Sequence, residues 1–127
     1  MALLELKNIT MRFGGVVAVN DLSMEVNEGE LVSLIGPNGA GKTTVFNVLT
    51  GVYPNADGQI FFEGKSILGK KVQEIVKMGI SRTFQNLRVF KPQRVIENVM
   101  MGDLLHVKYG FFDLLFRTKK FKEAERE

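Results

Sequence analysis

Apolar and polar residues alternate in two segments near the start of the chain, at residues 4–7 and 22–26. Because successive side chains of a strand point to opposite faces of a sheet, this alternation predicts two strands that each keep one face in water. The first strand is expected to end at about residue 13. A glycine pair then makes the turn, and the second strand begins at about residue 17.

A nearly unbroken apolar run follows at residues 31–35, with the sequence Leu-Val-Ser-Leu-Ile. Such a run is typical of a strand that is buried on both faces of a parallel sheet. Apolar residues then recur at positions 45, 48, 49 and 52, which is the period of an amphipathic helix, and Gly51 lies where the C-terminal cap is expected. The pattern predicts a buried strand and a helix that are joined by a loop at residues 36–44.

Turn residues and shorter apolar patterns divide the rest of the chain into small elements. In chain order, we expect a turn at residues 54–58, a strand at 59–62, a short helix from about Val72 that stops at Gly79, a strand at 80–84, a loop at 88–92, a helix at 96–107 and an exposed, charged helix at 117–127.

The loop at residues 36–44 matches the phosphate-loop pattern G-x-x-x-x-G-K-[ST]. Glycines lack a Cβ, so the backbone can wrap closely and direct its amides at phosphate oxygens beside the positive end of the next helix. Lys42 would add charge at the β and γ phosphates, the Thr43 hydroxyl could bind Mg²⁺, and Thr44 is a further donor. A plain Gly-rich turn is the alternative, but a chance match is expected in only about one such chain in a few hundred. The predicted nucleotide site comprises Gly36, Pro37, Asn38, Gly39, Ala40, Gly41, Lys42, Thr43 and Thr44.

Composition restricts the classes of protein to which the chain can belong. The chain has 127 residues, of which 45% are hydrophobic and 24% charged, as is ordinary for one soluble globular domain. The formal net charge is +3, but no basic block with interleaved aromatics occurs, so nucleic-acid binding is not expected. The lack of cysteine excludes disulfides and cysteine metal sites. We find no signal-peptide pattern, and no apolar run is long enough to span a membrane.

Antiparallel strands followed by a strand, a phosphate loop and a helix resemble the ATP-binding subunit of ABC transporters. The loop sequence at residues 36–44 is usual in that family, and Gly-Ile-Ser-Arg-Thr-Phe-Gln-Asn at residues 79–86 resembles the segment that leads into its glutamine loop. Residues 82–86, with 12–15 and 46–47, are most similar to the LivG-type ATPases of branched-chain amino acid importers. The resemblance covers essentially the whole chain but only the N-terminal half of such a subunit.

The resemblance implies an α/β fold with a RecA-like P-loop NTPase core and an N-terminal antiparallel β subdomain. The β subdomain and the core would occupy about residues 1–85, and the glutamine loop with the start of a helical subdomain about residues 85–127. The family's signature loop, carboxylate strand and switch histidine do not occur before Glu127. The sequence is therefore expected to be truncated before the carboxylate strand, which leaves the general base unknown and hydrolysis by this chain open.

The resemblance also assigns roles to single residues. Phe13 would stack on adenine and Val19 would back the ring, with packing in the hairpin or the core as the alternative. Gln85 would bind Mg²⁺ through its side-chain carbonyl and help to position the attacking water, although it could also be an ordinary polar residue after a strand. Lys42 and Gln85 would thus support catalysis, and Thr43 and Gln85 would be the metal ligands.

The partners and the function are implied by the resemblance alone. The loop after Gln85, namely Arg88, Val89, Phe90 and Lys91, would dock on membrane-spanning permease subunits, or it could be an ordinary surface loop. The subunit would bind ATP with Mg²⁺, pair with a second ATP-binding subunit and energise import, expected to be of branched-chain amino acids, at the cytoplasmic face of the inner membrane. The alternatives are an ABC ATPase for another cargo such as lipid or lipopolysaccharide, a kinase with the same loop, and a non-catalytic nucleotide-binding module.

Overall fold

The computed structural model describes residues 1–86 and 89–102, and it divides the chain into two compact units, Met1–Thr83 and Phe84–Glu127. The expectations for Arg88, for the helix beyond Gly102 and for the tail lie outside the described residues. The first unit contains β1 (Leu4–Phe13), β2 (Val16–Val26), α1 (Lys42–Leu49), β3 (Asp57–Phe62), β4 (Lys65–Ser66) and α2 (Val72–Lys77). The described part of the second unit contains α3 (Val95–Gly102).

The four strands form one antiparallel sheet in the order β2-β1-β3-β4. The predicted hairpin is confirmed, with β1 at the centre of the sheet, where Leu6 pairs with Met24 on one side and with Ile60 on the other. The β1–β2 register shifts near Asn8 and Asp21, which both have φ of 51°. The Asn8 amide donates to the Asp21 carboxylate at 2.8 Å. A side-chain hydrogen bond therefore holds the hairpin where the ladder is interrupted.

The core of the first unit lies where the alternating side chains of the strands meet α1 and α2. The buried hydrophobic residues belong to β1, β2, β3, α1 and α2, except for Ile67, which directly follows β4. They are Leu6, Ile9, Met11, Val19, Ile60, Val45, Val48, Ile67 and Ile75. The predicted helix after the loop is confirmed as α1, and Gly51 follows its cap with φ of 77°. The predicted short helix is confirmed as α2. Burial of these apolar faces is the main contribution to folding.

Two predicted strands are wrong. Residues 31–35 are not a strand, and Leu31 and Ile35 are 95% and 91% exposed, while Leu34 packs partly against the core. Residues 80–84 form no strand either. A strand obtains its hydrogen bonds and its burial from neighbouring strands, and within the described residues no strand pairs with either segment. The short strand β4, which pairs with the end of β3, was not predicted.

In the second unit, the loop before α3 is held by the side chain of Asn98. The Phe90 N–H donates to Asn98 Oδ1 at 2.8 Å, and Asn98 Nδ2 donates to the carbonyl oxygens of Phe90 at 3.2 Å and Arg94 at 3.0 Å. The expected loop and the start of the following helix are therefore confirmed within residues 89–102. Of the helices in the described ranges, none has the length and apolar character needed to cross a membrane.

Candidate phosphate-binding site

The loop before α1 is built on two glycines in the left-handed region. Gly39 has φ of 85° and Gly41 has φ of 86°, and the Ala40 N–H donates to the Pro37 carbonyl at 3.2 Å. The space around Gly39 is open, so only its backbone conformation favours glycine. A Cβ on Gly41 would also overlap the carbonyl oxygen of Ala18 in β2. The chain thus passes directly over β2 at the point where Gly41 caps the N-terminus of α1.

Lys42 directs its ammonium back onto the loop. Its Nζ donates to the carbonyl oxygen of Gly36 and, at 2.6 Å, to that of Pro37. Thr43 is exposed and Thr44 is partly buried in the first turn of α1, which contains no acidic residue. A positive charge, hydroxyl donors and the unpaired amides of a helix start therefore lie within one loop, which is chemistry that suits an anion.

Phe13, the predicted adenine-stacking residue, is the last residue of β1 and is 43% exposed. Its ring contacts the ring of Tyr53 in an edge arrangement, with centroids 5.1 Å apart and planes at 75°. Tyr53 was not among the site residues predicted from the sequence. The available signal was an aromatic residue directly after the helix that the phosphate loop begins.

Val19, which the resemblance placed behind the adenine, is 8% exposed and belongs to the core. Its Cγ2 lies 3.4 Å from the position that a Cβ on Gly41 would occupy. Val19 therefore lies beneath the last glycine of the loop, and this placement agrees with the packing alternative.

Gln85, the other predicted Mg²⁺ ligand, lies in the second unit and is exposed. Mg²⁺ takes oxygen ligands and is commonly held by only a few protein groups together with substrate phosphates. The Thr43 hydroxyl and the Gln85 amide oxygen are donors of a suitable type. Among the residues that the structure describes, no group of three or more acidic or histidine side chains could hold a metal ion.

Arg82 makes a connection within the first unit that the sequence did not predict. Its Nη1 donates to Asn47 Oδ1 at 2.6 Å, and its guanidinium lies 5.9 Å from the centre of the Phe46 ring. The Asn47 carbonyl also accepts the N–H groups of Val52 and Tyr53, at 2.8 and 3.1 Å. Three residues that carry the resemblance to amino acid importers are thus in contact with one another.

Comparison with known proteins places these features in a family. Residues 19–126 match the family described as ABC transporter. The chain is 46% identical over 125 residues to the high-affinity branched-chain amino acid transport ATP-binding protein BraF of Pseudomonas aeruginosa, covering 98% of this chain and 49% of BraF. It is 47% identical, with the same coverage, to LivG of Salmonella typhimurium, which has the same description. The chain therefore spans about half the length of these curated relatives.

Solved structures show the same relationship. A nucleotide-free ATP-binding cassette from an ABC transporter superposes with a TM-score of 0.74 at 37% identity, covering 98% of this chain and 49% of that one. The ADP conformation of MJ1267, also an ATP-binding cassette of an ABC transporter, gives a TM-score of 0.74 at 38% identity, covering 94% of this chain and 46% of that one. The predicted α/β fold of the P-loop NTPase class is therefore confirmed, although the buried strand at residues 31–35 is not.

Proposed function

The chain belongs to the ABC transporter family, and we propose that it is the ATP-binding part of an ATPase subunit that energises the import of branched-chain amino acids. The observation that carries the proposal is the loop at residues 36–44. There the Lys42 ammonium and two left-handed glycines lie at the start of α1. The cargo rests on the identity of 46–47% to branched-chain amino acid transport proteins.

In this proposal each part of the site binds one part of the nucleotide. The amides of residues 39–44 and the Lys42 ammonium bind the phosphates, where charge-assisted hydrogen bonds are strongest. Phe13 stacks on the adenine. Thr43 and Gln85 offer oxygen ligands to Mg²⁺, which supplies charge neutralisation at the phosphates when it is bound.

The partners follow from the same family assignment. We propose that the segment after Gln85 docks on a membrane-spanning permease subunit and that the protein pairs with a second ATP-binding subunit. It would then work at the cytoplasmic face of the inner membrane. In the docking segment, Val89 and Phe90 are 63% and 54% exposed. Aromatic residues that stand exposed in this way are frequent anchors of protein interfaces.

The second candidate function is the import of a different cargo, xylose. The chain is 44% identical over 103 residues to the xylose import ATP-binding protein XylG of Histophilus somni, covering 80% of this chain and 20% of XylG. Uptake of labelled leucine and labelled xylose by cells with and without the gene separates the two. Loss of leucine uptake alone is expected. Loss of xylose uptake alone would contradict the proposed cargo.

Nucleotide binding is tested by replacing Lys42 with alanine. Lys42→Ala should raise the Kd for ATP about ten- to hundred-fold, because charge-assisted bonds to phosphate are lost, and should leave adenosine binding unchanged. Titration calorimetry on the 127-residue chain measures both. Lys77→Ala, at an exposed lysine in the last turn of α2, is the matched control and should bind ATP like the original chain. Equal losses for ATP and adenosine would contradict the role of Lys42.

A further inference from the structure

Tyr53 is fixed at the end of α1 from two directions. Its backbone N–H donates to the Asn47 carbonyl at 3.1 Å, and the same oxygen accepts the Val52 N–H at 2.8 Å. The Tyr53 side chain is partly buried and packs against the core of the first unit. The backbone of Tyr53 is therefore held by the helix that begins at the phosphate loop, and its side chain is held by the core of the first unit.

Phe13, in contrast to Tyr53, lies at the end of its hairpin, where few residues of the hairpin surround its side chain. It is the final residue of β1, it pairs with Val16 next to the glycine turn, and 43% of its surface is exposed. The ring of Tyr53 meets it at a centroid distance of 5.1 Å with the planes at 75°. Distances of 4.5–7 Å with perpendicular planes are the favoured edge geometry of aromatic pairs.

The edge geometry leaves room for a third ring. In such a pair, one ring presents its edge and the other presents one face. If Phe13 presents its edge, both of its faces remain outside the contact, and if it presents a face, the opposite face remains. In either case at least one face of Phe13 lies outside the contact with Tyr53, and the residue is 43% exposed, as are aromatic rings that stack on bases in nucleic-acid sites.

We propose that Tyr53 is a positioning residue that holds the Phe13 ring in the orientation in which it stacks on adenine. The inference rests on the proposed function, in which Phe13 is the stacking residue. A side chain that is already ordered loses less rotamer freedom when its ligand binds, so Tyr53 increases affinity without touching the nucleotide. α1 begins at Lys42 and ends at Leu49, and its residue Asn47 accepts the Tyr53 N–H, so one helix is attached to both the phosphate loop and the proposed adenine platform.

The experiment compares three ligands, ATP, ADP and inorganic tripolyphosphate, by calorimetry on the 127-residue chain. Tyr53→Leu removes the ring and should weaken ATP and ADP by the same factor, about two- to ten-fold. Tripolyphosphate binding should not change, since it has no base. Tyr53→Phe keeps the ring and should match the original chain. In a Phe13→Ala background, Tyr53→Leu should cause no further loss.

Three other calorimetric results would contradict the positioning role of Tyr53. Equal losses for ATP and tripolyphosphate would show that Tyr53 acts on the loop or on the fold and not through Phe13. Unchanged ATP binding in Tyr53→Leu, or full additivity with Phe13→Ala, would show that the ring pair has no role in binding. Tyr53→Met, with a flexible apolar side chain, replaces the leucine variant if that variant fails to fold.

Different binding results would contradict the proposed stacking of Phe13 on adenine, on which the role of Tyr53 depends. If Phe13 does not stack on adenine, Phe13→Ala binds ATP like the original chain, whatever Tyr53 does. If Phe13→Ala lowers the affinities for ATP and tripolyphosphate by the same factor, Phe13 acts on the fold and not on adenine, and the roles of Phe13 and Tyr53 are both overturned.

Discussion

At the scale of single residues, the two glycines of the loop should respond differently to alanine. Both have a positive φ, so alanine strains the backbone by about 1–2 kcal/mol at either position. Only at Gly41 would the added Cβ also meet a backbone atom, the Ala18 carbonyl oxygen, which cannot move without distorting β2. Gly41→Ala should therefore lower the free energy of unfolding and the ATP affinity more than Gly39→Ala. Urea denaturation and calorimetry measure both quantities, and equal effects would contradict the close approach at Ala18.

Local spacing predicts the residues of the phosphate loop well, but it predicts long-range contacts poorly. The glycines at 39 and 41 and the lysine at 42 are read directly from the sequence, because backbone geometry and charge at these positions depend on neighbours in the chain. The contacts of Tyr53 and Arg82 could not be predicted in this way. Their partners, Phe13 and Asn47, lie far away in sequence, and no local pattern indicates that these pairs meet.

At the scale of elements, the helices α1 and α2 and the β1–β2 hairpin were predicted correctly, whereas the strands predicted at residues 31–35 and 80–84 are wrong. α1 and α2 are defined by their own periodicity and turn residues, and the β1–β2 hairpin by alternation and a glycine turn. A buried strand is different because its character depends on the strands beside it. Residues 31–35 and 80–84 have the composition of strands, yet no strand within the described residues pairs with them.

In place of a strand, the segment that contains Arg82 is attached to α1 by side chains. A double-mutant cycle of Arg82→Ala and Asn47→Ala measures this link by urea denaturation. Each single variant should have a free energy of unfolding that is lower by about 1.5–3 kcal/mol, the range for a hydrogen bond to a charged group. The Asn47 backbone carbonyl is retained in the alanine variant. Because the two side chains bond directly at 2.6 Å, the cycle should show a coupling of about 0.5–3 kcal/mol. Additive losses would mean that this hydrogen bond does not contribute to stability.

At the scale of the whole molecule, the family was predictable and the position of the buried residues was only partly so. The loop and the order of the first elements were sufficient to identify the ABC transporter family. The sequence placed a buried strand at residues 31–35. In the first unit, burial lies instead between the antiparallel sheet and the helices, at residues such as Leu6, Ile9 and Ile60.

Two matched truncations in the 127-residue chain test whether burial lies between the sheet and the helices or at residues 31–35. Ile60 is fully buried, whereas Leu31 is 95% exposed, although the two side chains have the same number of carbon atoms. Ile60→Ala should lower the free energy of unfolding by about 2–5 kcal/mol, because it leaves a cavity beside Leu6. Leu31→Ala should change it by less than about 0.5 kcal/mol, since little apolar surface is lost from the interior. Urea denaturation of both variants gives the two values. A loss at Leu31 as large as that at Ile60 would mean that residues 31–35 are buried after all, as their apolar sequence predicts.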